Sequence, residues 1–231
     1  MRTIGLLGGM SWESSIEYYR IINQETRRRL GGTHSARSVM VSVDFHEIEE
    51  LQHRGDWAAA TAAMIDGARA IEAGGADCVV ICTNTMHRMA DEVQAAIGIP
   101  LLHIADATGV AVRAAGVATV ALLGTRFTME HAFYRGRLEE QHGLEVLIPA
   151  DPGRTLVHDV IYDELVRGVI SESSRDGFLE VIEGLLDQGA DGVIAGCTEI
   201  ELLVTADDVG VPYFPTTRLH AEAAVEWALR A

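Results

Sequence analysis

Two cysteines, Cys82 and Cys197, stand in matching settings 115 residues apart. The first closes Gly75-Ala76-Asp77-Cys78-Val79-Val80-Ile81-Cys82-Thr83-Asn84-Thr85, and the second closes Gly189-Ala190-Asp191-Gly192-Val193-Ile194-Ala195-Gly196-Cys197-Thr198-Glu199. In each, an apolar run ends in Cys-Thr and then a polar side chain, Asn84 or Glu199. Thiol, hydroxyl, amide and carboxylate groups gathered at a strand end can hold and act on a small polar ligand. Three chemistries compete for such a pair. A metal site wants further ligands at C-x₂-C or His-bearing spacing; His87 follows Cys82 but has no counterpart after Cys197. A redox disulfide wants Cα atoms within ~7 Å of each other. Two-base proton transfer wants one thiol on each face of one substrate carbon, one ionised and one neutral, and a thiol with a reference pKa near 8.5 can be poised that way. The third cysteine, Cys78, lies inside its apolar run and reads as core filling.

The repeat reaches beyond the cysteines. Thr3-Ile4-Gly5-Leu6-Leu7-Gly8-Gly9 matches Thr119-Val120-Ala121-Leu122-Leu123-Gly124-Thr125, and Gly98-Ile99-Pro100-Leu101-Leu102 matches Gly210-Val211-Pro212-Tyr213-Phe214. Three segments in one order at a near-constant offset describe a duplicated α/β lobe rather than a solenoid. Strands are expected at 3–8, 39–43, 78–81 and 101–104, and again at 118–123, 145–148, 192–196 and near 212–214. Helices are expected at 14–30, 57–73, 86–97, 128–141, 155–170, 175–188 and 222–230. Such alternation means parallel sheets covered by helices, with sites just past the strand carboxyl ends.

Composition narrows the class. The 231 residues, 48% of them hydrophobic, are ample for a core. A formal net charge of −16 argues against nucleic acid or an anionic membrane as partner. No apolar run reaches the ~18 residues of a membrane span. Three cysteines are too few for a disulfide framework, and a cytoplasmic enzyme is expected. Gly8-Gly9 forms only half of a dinucleotide fingerprint. Thr125 and Thr128 open a helix and serve equally well as an N-cap or a carboxylate site. His87, His103 and His220 read as structural.

The segments Gly5-Leu6-Leu7-Gly8-Gly9-Met10-Ser11, Cys82-Thr83-Asn84-Thr85, Leu123-Gly124-Thr125 with Thr128, and Gly196-Cys197-Thr198-Glu199 together resemble the aspartate/glutamate racemase superfamily of cofactor-independent amino-acid racemases. The resemblance covers essentially the whole chain. It is closest to the bacterial aspartate/glutamate or broad-specificity branch, through Gly9-Met10-Ser11-Trp12-Glu13-Ser14 and Val43-Asp44-Phe45-His46-Glu47-Ile48. It implies two pseudo-symmetric Rossmann-like lobes with parallel sheets and the active site at the lobe interface. A chain crossover then gives one lobe residues 1–98 plus the tail 211–231, and the other 99–210. It implies Cys82 and Cys197 as the acid/base pair, with Met10, Ser11, Thr83, Asn84, Thr85, Thr125, Thr128, Thr198 and Glu199 around the amino-acid backbone. It implies no pyridoxal phosphate, no metal, a small amino-acid substrate and a homodimer. For a distal carboxylate, Arg167 falls near the family's basic position. No arginine stands near Asp44-Phe45-His46, where Gln52, His53 or Arg54 could compensate. Other outcomes in view are isomerisation of another small acid, of maleate or hydantoin type, and a non-catalytic small-ligand binding protein.

Overall fold

The apolar runs form strands with no solvent-facing side at their centres. In the computed structural model, which describes residues 1–230, β1 (Ile4–Gly8), β2 (Ser38–Ser42) and β3 (Cys78–Ile81) make one parallel sheet of order β2-β1-β3. A second parallel sheet of order β5-β4-β6-β7 contains β4 (Thr119–Leu123), β5 (Glu145–Leu147), β6 (Gly192–Ala195) and β7 (Tyr213–Pro215). Every residue of β1, β3 and β6 is buried, as expected of strands covered on both faces. β2, at an edge, is partly exposed.

The duplication is visible in the register. Leu7 pairs with Ile81 in the first sheet, and Leu123 pairs with Ala195 in the second. At the place that β7 occupies beside β6, the first sheet has a single parallel bridge, Val79 to Leu101. The strand expected at 101–104 thus shrinks to that bridge, held by Val79 N–H to Pro100 O and Leu102 N–H to Val79 O, both 2.9 Å. The chain then turns into helix.

The helices are α1 (Trp12–Leu30), α2 (Phe45–His53), α3 (Trp57–Ala73), α4 (Ala90–Ala96), α5 (Ile104–Ala114), α6 (Arg126–Glu130), α7 (Arg135–His142), α8 (Gly153–Asp159), α9 (Glu172–Leu186) and α10 (Thr216–Leu229). Capping sets many of the ends. Ser11 caps α1, Asp44 caps α2, Asp56 caps α3 and Ser171 caps α9, each side chain accepting from a first-turn N–H. Gly31 and Gly143, at positive φ, close α1 and α7. Two helices, α2 and α5, go beyond the sequence expectation. The expected helix at 128–141 is instead α6 and α7 separated by a bend, and 155–170 is α8 followed by a wide turn (Val160–Glu164) and a short 3₁₀ turn (Leu165–Arg167). The last helix begins at Thr216 rather than 222, because β7 delivers the chain directly into it.

Contacts divide the chain into two units: Met1–His103 with the described part of His220–Ala231, and Ile104–Leu219. The divisions fall after His103 and Leu219, against 98 and 210 expected from sequence; the second lies later because β7 is bonded to β6 and stays in the second unit. In the first unit, one core packs α3 and α4 side chains such as Met64, Ala68 and Val93 against Leu7, Val79 and Ile81. On the sheet's other face, Ala221, Ala224, Val225 and Ala228 of α10 join Tyr18 and Ile22 of α1 over Ile4, Leu6 and Val80. The second unit has one continuous core around β4 and β6, with Tyr134, Phe178 and Ile182 among its buried side chains.

Gly9 follows β1 at φ +95°, and a Cβ there would lie 2.2 Å from Val43 O and 2.6 Å from Val43 N. Both are backbone atoms of the adjoining strand exit, so they cannot rotate aside. Gly9→Ala should cost at least ~2 kcal/mol of stability. Urea denaturation checks this, and a loss below ~0.5 kcal/mol would contradict the packing described.

Candidate active site

Each cysteine stands where a buried strand ends. In the first unit, Cys82 follows β3 directly, and its N–H still bonds to Leu7 O at 2.8 Å. The loop after β1 carries Met10 and Ser11, both buried. Two serines on the first turn of α1 clasp this loop. Ser15 Oγ accepts from Gly9 N–H at 2.8 Å and donates to Ser11 O at 2.9 Å. Ser14 Oγ donates to Cys82 O at 3.0 Å. The Gly-Gly-Met-Ser loop and the cysteine segment are therefore tied through side-chain hydroxyls. Thr83 is half-buried, while Asn84 and Thr85 are buried at the start of the 3₁₀ turn Thr85–Met89.

In the second unit, Thr125 caps α6, its Oγ1 accepting from Thr128 N–H at 3.4 Å and lying 3.3 Å from Thr128 Oγ1. A Cβ on Gly124 or Gly196 would come within 3.3 Å of the Thr128 side chain, so the loop before Cys197 lies directly against that threonine. Gly196 N–H bonds to Leu123 O at 2.7 Å. Cys197 is therefore one residue further past its strand than Cys82 is, and it is partly exposed where Cys82 is buried. Thr198 Oγ1 pairs with Thr217 Oγ1 at 2.8 Å, and Thr216 Oγ1 donates to Ala195 O at 2.9 Å. The Cys197 thiol donates to Glu199 Oε2 at 2.8 Å.

Thus Met10, Ser11, Cys82, Thr83, Asn84 and Thr85 gather at the carboxyl ends of β1 and β3, and Thr125, Thr128, Cys197, Thr198 and Glu199 at those of β4 and β6. Gln52 is buried on α2, and its Nε2 meets Met86 Sδ at 3.2 Å. Arg167 is exposed at the end of its turn, which packs against the turn Thr198–Leu202 that follows Cys197. Burial pushes the Cys82 thiol up. Burial also pushes the Cys197 thiol well up, and the Glu199 carboxylate beside it adds to the shift, while the backbone N–H groups of Glu199 and Thr198 pull the other way. Cys78 is pushed up to about 12 by burial. Among the described residues, no group of three or more His, Cys, Asp or Glu is arranged to hold a metal ion, and no helix is long and apolar enough to cross a membrane.

Over residues 7–224 the sequence matches the family described as Asp/Glu/Hydantoin racemase. The chain belongs to this family. It is thus an isomerase of the racemase kind. A candidate Asp/Glu racemase from Yersinia pestis is 54% identical, with a TM-score of 0.95 over 100% of both chains. An aspartate racemase homologue from Pyrococcus horikoshii OT3 is 31% identical, with a TM-score of 0.87, again over 100% of both. The broad specificity amino-acid racemase RacX of Bacillus subtilis (strain 168) is 24% identical over 170 residues, 71% of this chain and 70% of its own length.

Several residues that organise the segments around the two cysteines escaped the sequence reading. Ser14 and Thr217 act through hydroxyls whose partners are far away in the chain, and Ser15 through a local clasp on Gly9 and Ser11. A usable signal was there for Thr217, since Pro215-Thr216-Thr217 marks a second strand-to-helix junction carrying threonines. His87 is buried and bonds to the site segment itself. Its Nδ1 lies 2.8 Å from Thr83 O, and a carbonyl can only accept, so Nδ1–H donates. The ring sits 4.7 Å from that of His103 and 5.4 Å from that of His220. His220 in turn donates from Nε2 to Leu102 O at 2.7 Å, leaving its Nδ1 to accept from Tyr18 Oη at 2.8 Å.

Burial, and then the neighbouring His103 and His220, hold His87 well below the ordinary 6.5. Below that pH the unfolded chain binds a proton that the folded chain refuses, so stability falls as pH falls. Between ~6.5 and ~5, this group alone should contribute a slope of up to ~1.4 kcal/mol per pH unit. His87→Gln should remove that part of the slope in denaturant titrations run across the window. An unchanged slope would show that His87 is not the group being protonated.

Proposed function

We propose that the chain interconverts L- and D-aspartate or glutamate, with room for other amino acids, by two-base proton transfer between Cys82 and Cys197 at the α-carbon. One observation carries the reading. The duplicated fold puts a thiol followed by threonine just past the end of each of two equivalent buried strands, β3 and β6. In the scheme, one thiolate takes the α-proton: the Cα–H bond breaks and an S–H bond forms. The electron pair spreads onto the substrate carboxylate. The other thiol then gives its proton to the opposite face of the same carbon. The scheme uses no pyridoxal phosphate.

Both thiols are held protonated by burial, so the resting chain is poorly nucleophilic. A bound amino acid brings an ammonium group, and an opposite charge nearby favours the thiolate. The hydroxyls of Thr83, Thr85, Thr125, Thr128 and Thr198, the amide of Asn84 and the loop Met10-Ser11 supply donors for the carboxylate on which negative charge develops. The similarity to an aspartate racemase homologue and to a broad-specificity racemase supports a substrate of this class. Arg167, exposed on the turn packed against Thr198–Leu202, is the candidate partner of a distal carboxylate.

In deuterated water, early product should carry deuterium at the α-carbon while residual substrate carries almost none, because the proton removed and the proton delivered belong to different thiols. Cys82→Ser and Cys197→Ser should each stop racemisation, since a hydroxyl is far too weak an acid. Early labelling of substrate and product alike, or normal turnover by either variant, would rule out the paired thiols.

Arg167→Leu should lower kcat/KM for aspartate and glutamate by roughly tenfold or more, in line with the ~1.5–3 kcal/mol of a charge-assisted hydrogen bond, and spare neutral amino acids. Equal losses on every substrate would remove Arg167 from the substrate pocket.

A further inference from the structure

The two half-sites are not chemically equal. Thr83 corresponds to Thr198, and Asn84 corresponds to Glu199 at the same offset of 115 that relates the cysteines. A neutral amide in one half is thus a carboxylate in the other. That carboxylate is not turned away from the thiol. Glu199 is buried, and its Oε2 accepts from Cys197 Sγ at 2.8 Å. Cys82 has a different neighbourhood, its Sγ lying 3.8 Å from Val80 O, an uncharged acceptor.

From this asymmetry we infer that Glu199 is a positioning residue that keeps the proton on Cys197, making it the resting acid of the pair and leaving Cys82 as the thiol that ionises first. The inference rests on the two-thiol reading proposed above and deepens it. The chemistry follows from charge. A carboxylate is a far weaker base than a thiolate, so the shared proton stays on sulfur. Removing that proton would set two negative charges within hydrogen-bond distance in a buried site. The backbone N–H groups of Thr198 and Glu199 act on the same sulfur in the opposite sense and lessen the penalty without cancelling it. The other ionisable groups on elements around Cys197 are accounted for elsewhere. Glu164 accepts from Ser174 Oγ at 2.6 Å, and Tyr213 donates to Val204 O at 2.9 Å. Glu201 is on the same turn, and Arg167 and Arg218 are exposed.

A consequence concerns the pH profile. The equilibrium constant of a racemisation is one, so kcat/KM must be the same from either enantiomer at every pH. The asymmetry therefore cannot favour one direction in kcat/KM. It appears as the alkaline limb of both profiles, which reports loss of the last thiol proton from the free enzyme, the proton held against Glu199.

The test reads ionisation directly. The chain has three cysteines, so Cys78→Ala with Cys82→Ser leaves Cys197 alone, and Cys78→Ala with Cys197→Ser leaves Cys82 alone. Ultraviolet thiolate absorbance is then titrated in each. Cys82 is expected to ionise at lower pH than Cys197. Adding Glu199→Gln to the Cys197-only protein should lower its midpoint by ~1 pH unit or more. Adding Asn84→Glu to the Cys82-only protein should raise that midpoint, which keeps the test alive if the glutamine variant does not fold. In the three-cysteine protein, Glu199→Gln should move the alkaline limb of kcat/KM down by a matching amount for both enantiomers. A Cys197 midpoint unmoved by Glu199→Gln, or a Cys82 midpoint above that of Cys197, overturns the inference. These titrations need no turnover, so they separate failure of the Glu199 role from failure of the racemase reading, which the deuterium experiment decides on its own.

Discussion

The last rung of each parallel ladder is the constraint on which both half-sites depend. In the first sheet it is Cys82 N–H to Leu7 O, and in the second Gly196 N–H to Leu123 O. A parallel strand must stop somewhere, and the residues after its final rung have backbone groups with no sheet partner. Buried backbone groups need partners. Here serine and threonine hydroxyls supply several of them: Ser14 for Cys82 O, Ser15 for Ser11 O and Gly9 N–H, Thr216 for Ala195 O. The polar residues around the thiols therefore have a structural duty before any substrate arrives. Small hydroxyl side chains fill both roles because they can accept, donate and fit where backbones approach closely.

The same rung explains why duplicated halves do not give duplicate thiols. Cys82 takes the rung itself and is held inside the ladder. Gly196 takes it in the second half, and its own Cβ position, 2.7 Å from Leu123 O, leaves little room for any side chain. Cys197 is displaced one residue outward, to the head of a turn. There Glu199 reaches it and two backbone N–H groups face it. One inserted residue thus separates a thiol controlled by burial alone from a thiol controlled by burial and charge together.

Much of this was legible in the residues. The buried strands declare themselves because a strand covered on both faces must be apolar throughout, and the Cys-Thr endings mark their exits. The caps at Ser11, Asp44, Asp56 and Ser171 are local chemistry. The misreadings have physical reasons. Leu101-Leu102-His103-Ile104 is apolar enough for a strand, but it finds a partner at one residue only, and Ile104 is already the first residue of a helix. The stretch 126–142 has a helical pattern but bends between Glu130 and Arg135. α2 is short and polar, and it is announced mainly by Asp44. Contacts such as Ser14 to Cys82 or Thr198 to Thr217 join residues 68 and 19 positions apart, and no local pattern encodes them. The inequality of Asn84 and Glu199 was readable from the repeat, whereas the thiol-to-carboxylate hydrogen bond became evident only once the turn after β6 was seen.

The path of α10 also sets an order of birth. The second unit is an unbroken stretch from Ile104 to Leu219, whereas the first needs residues from both extremities of the chain. Until Ala221, Ala224, Val225 and Ala228 emerge, α1 side chains such as Tyr18 and Ile22 cover the Ile4, Leu6 and Val80 face of the first sheet without α10. On a ribosome that makes the amino-terminal unit first, the unit begun earlier is the last to close. For most of its synthesis the nascent chain therefore carries an apolar sheet face that is only partly covered, and the first unit gains its full core only when α10 is made.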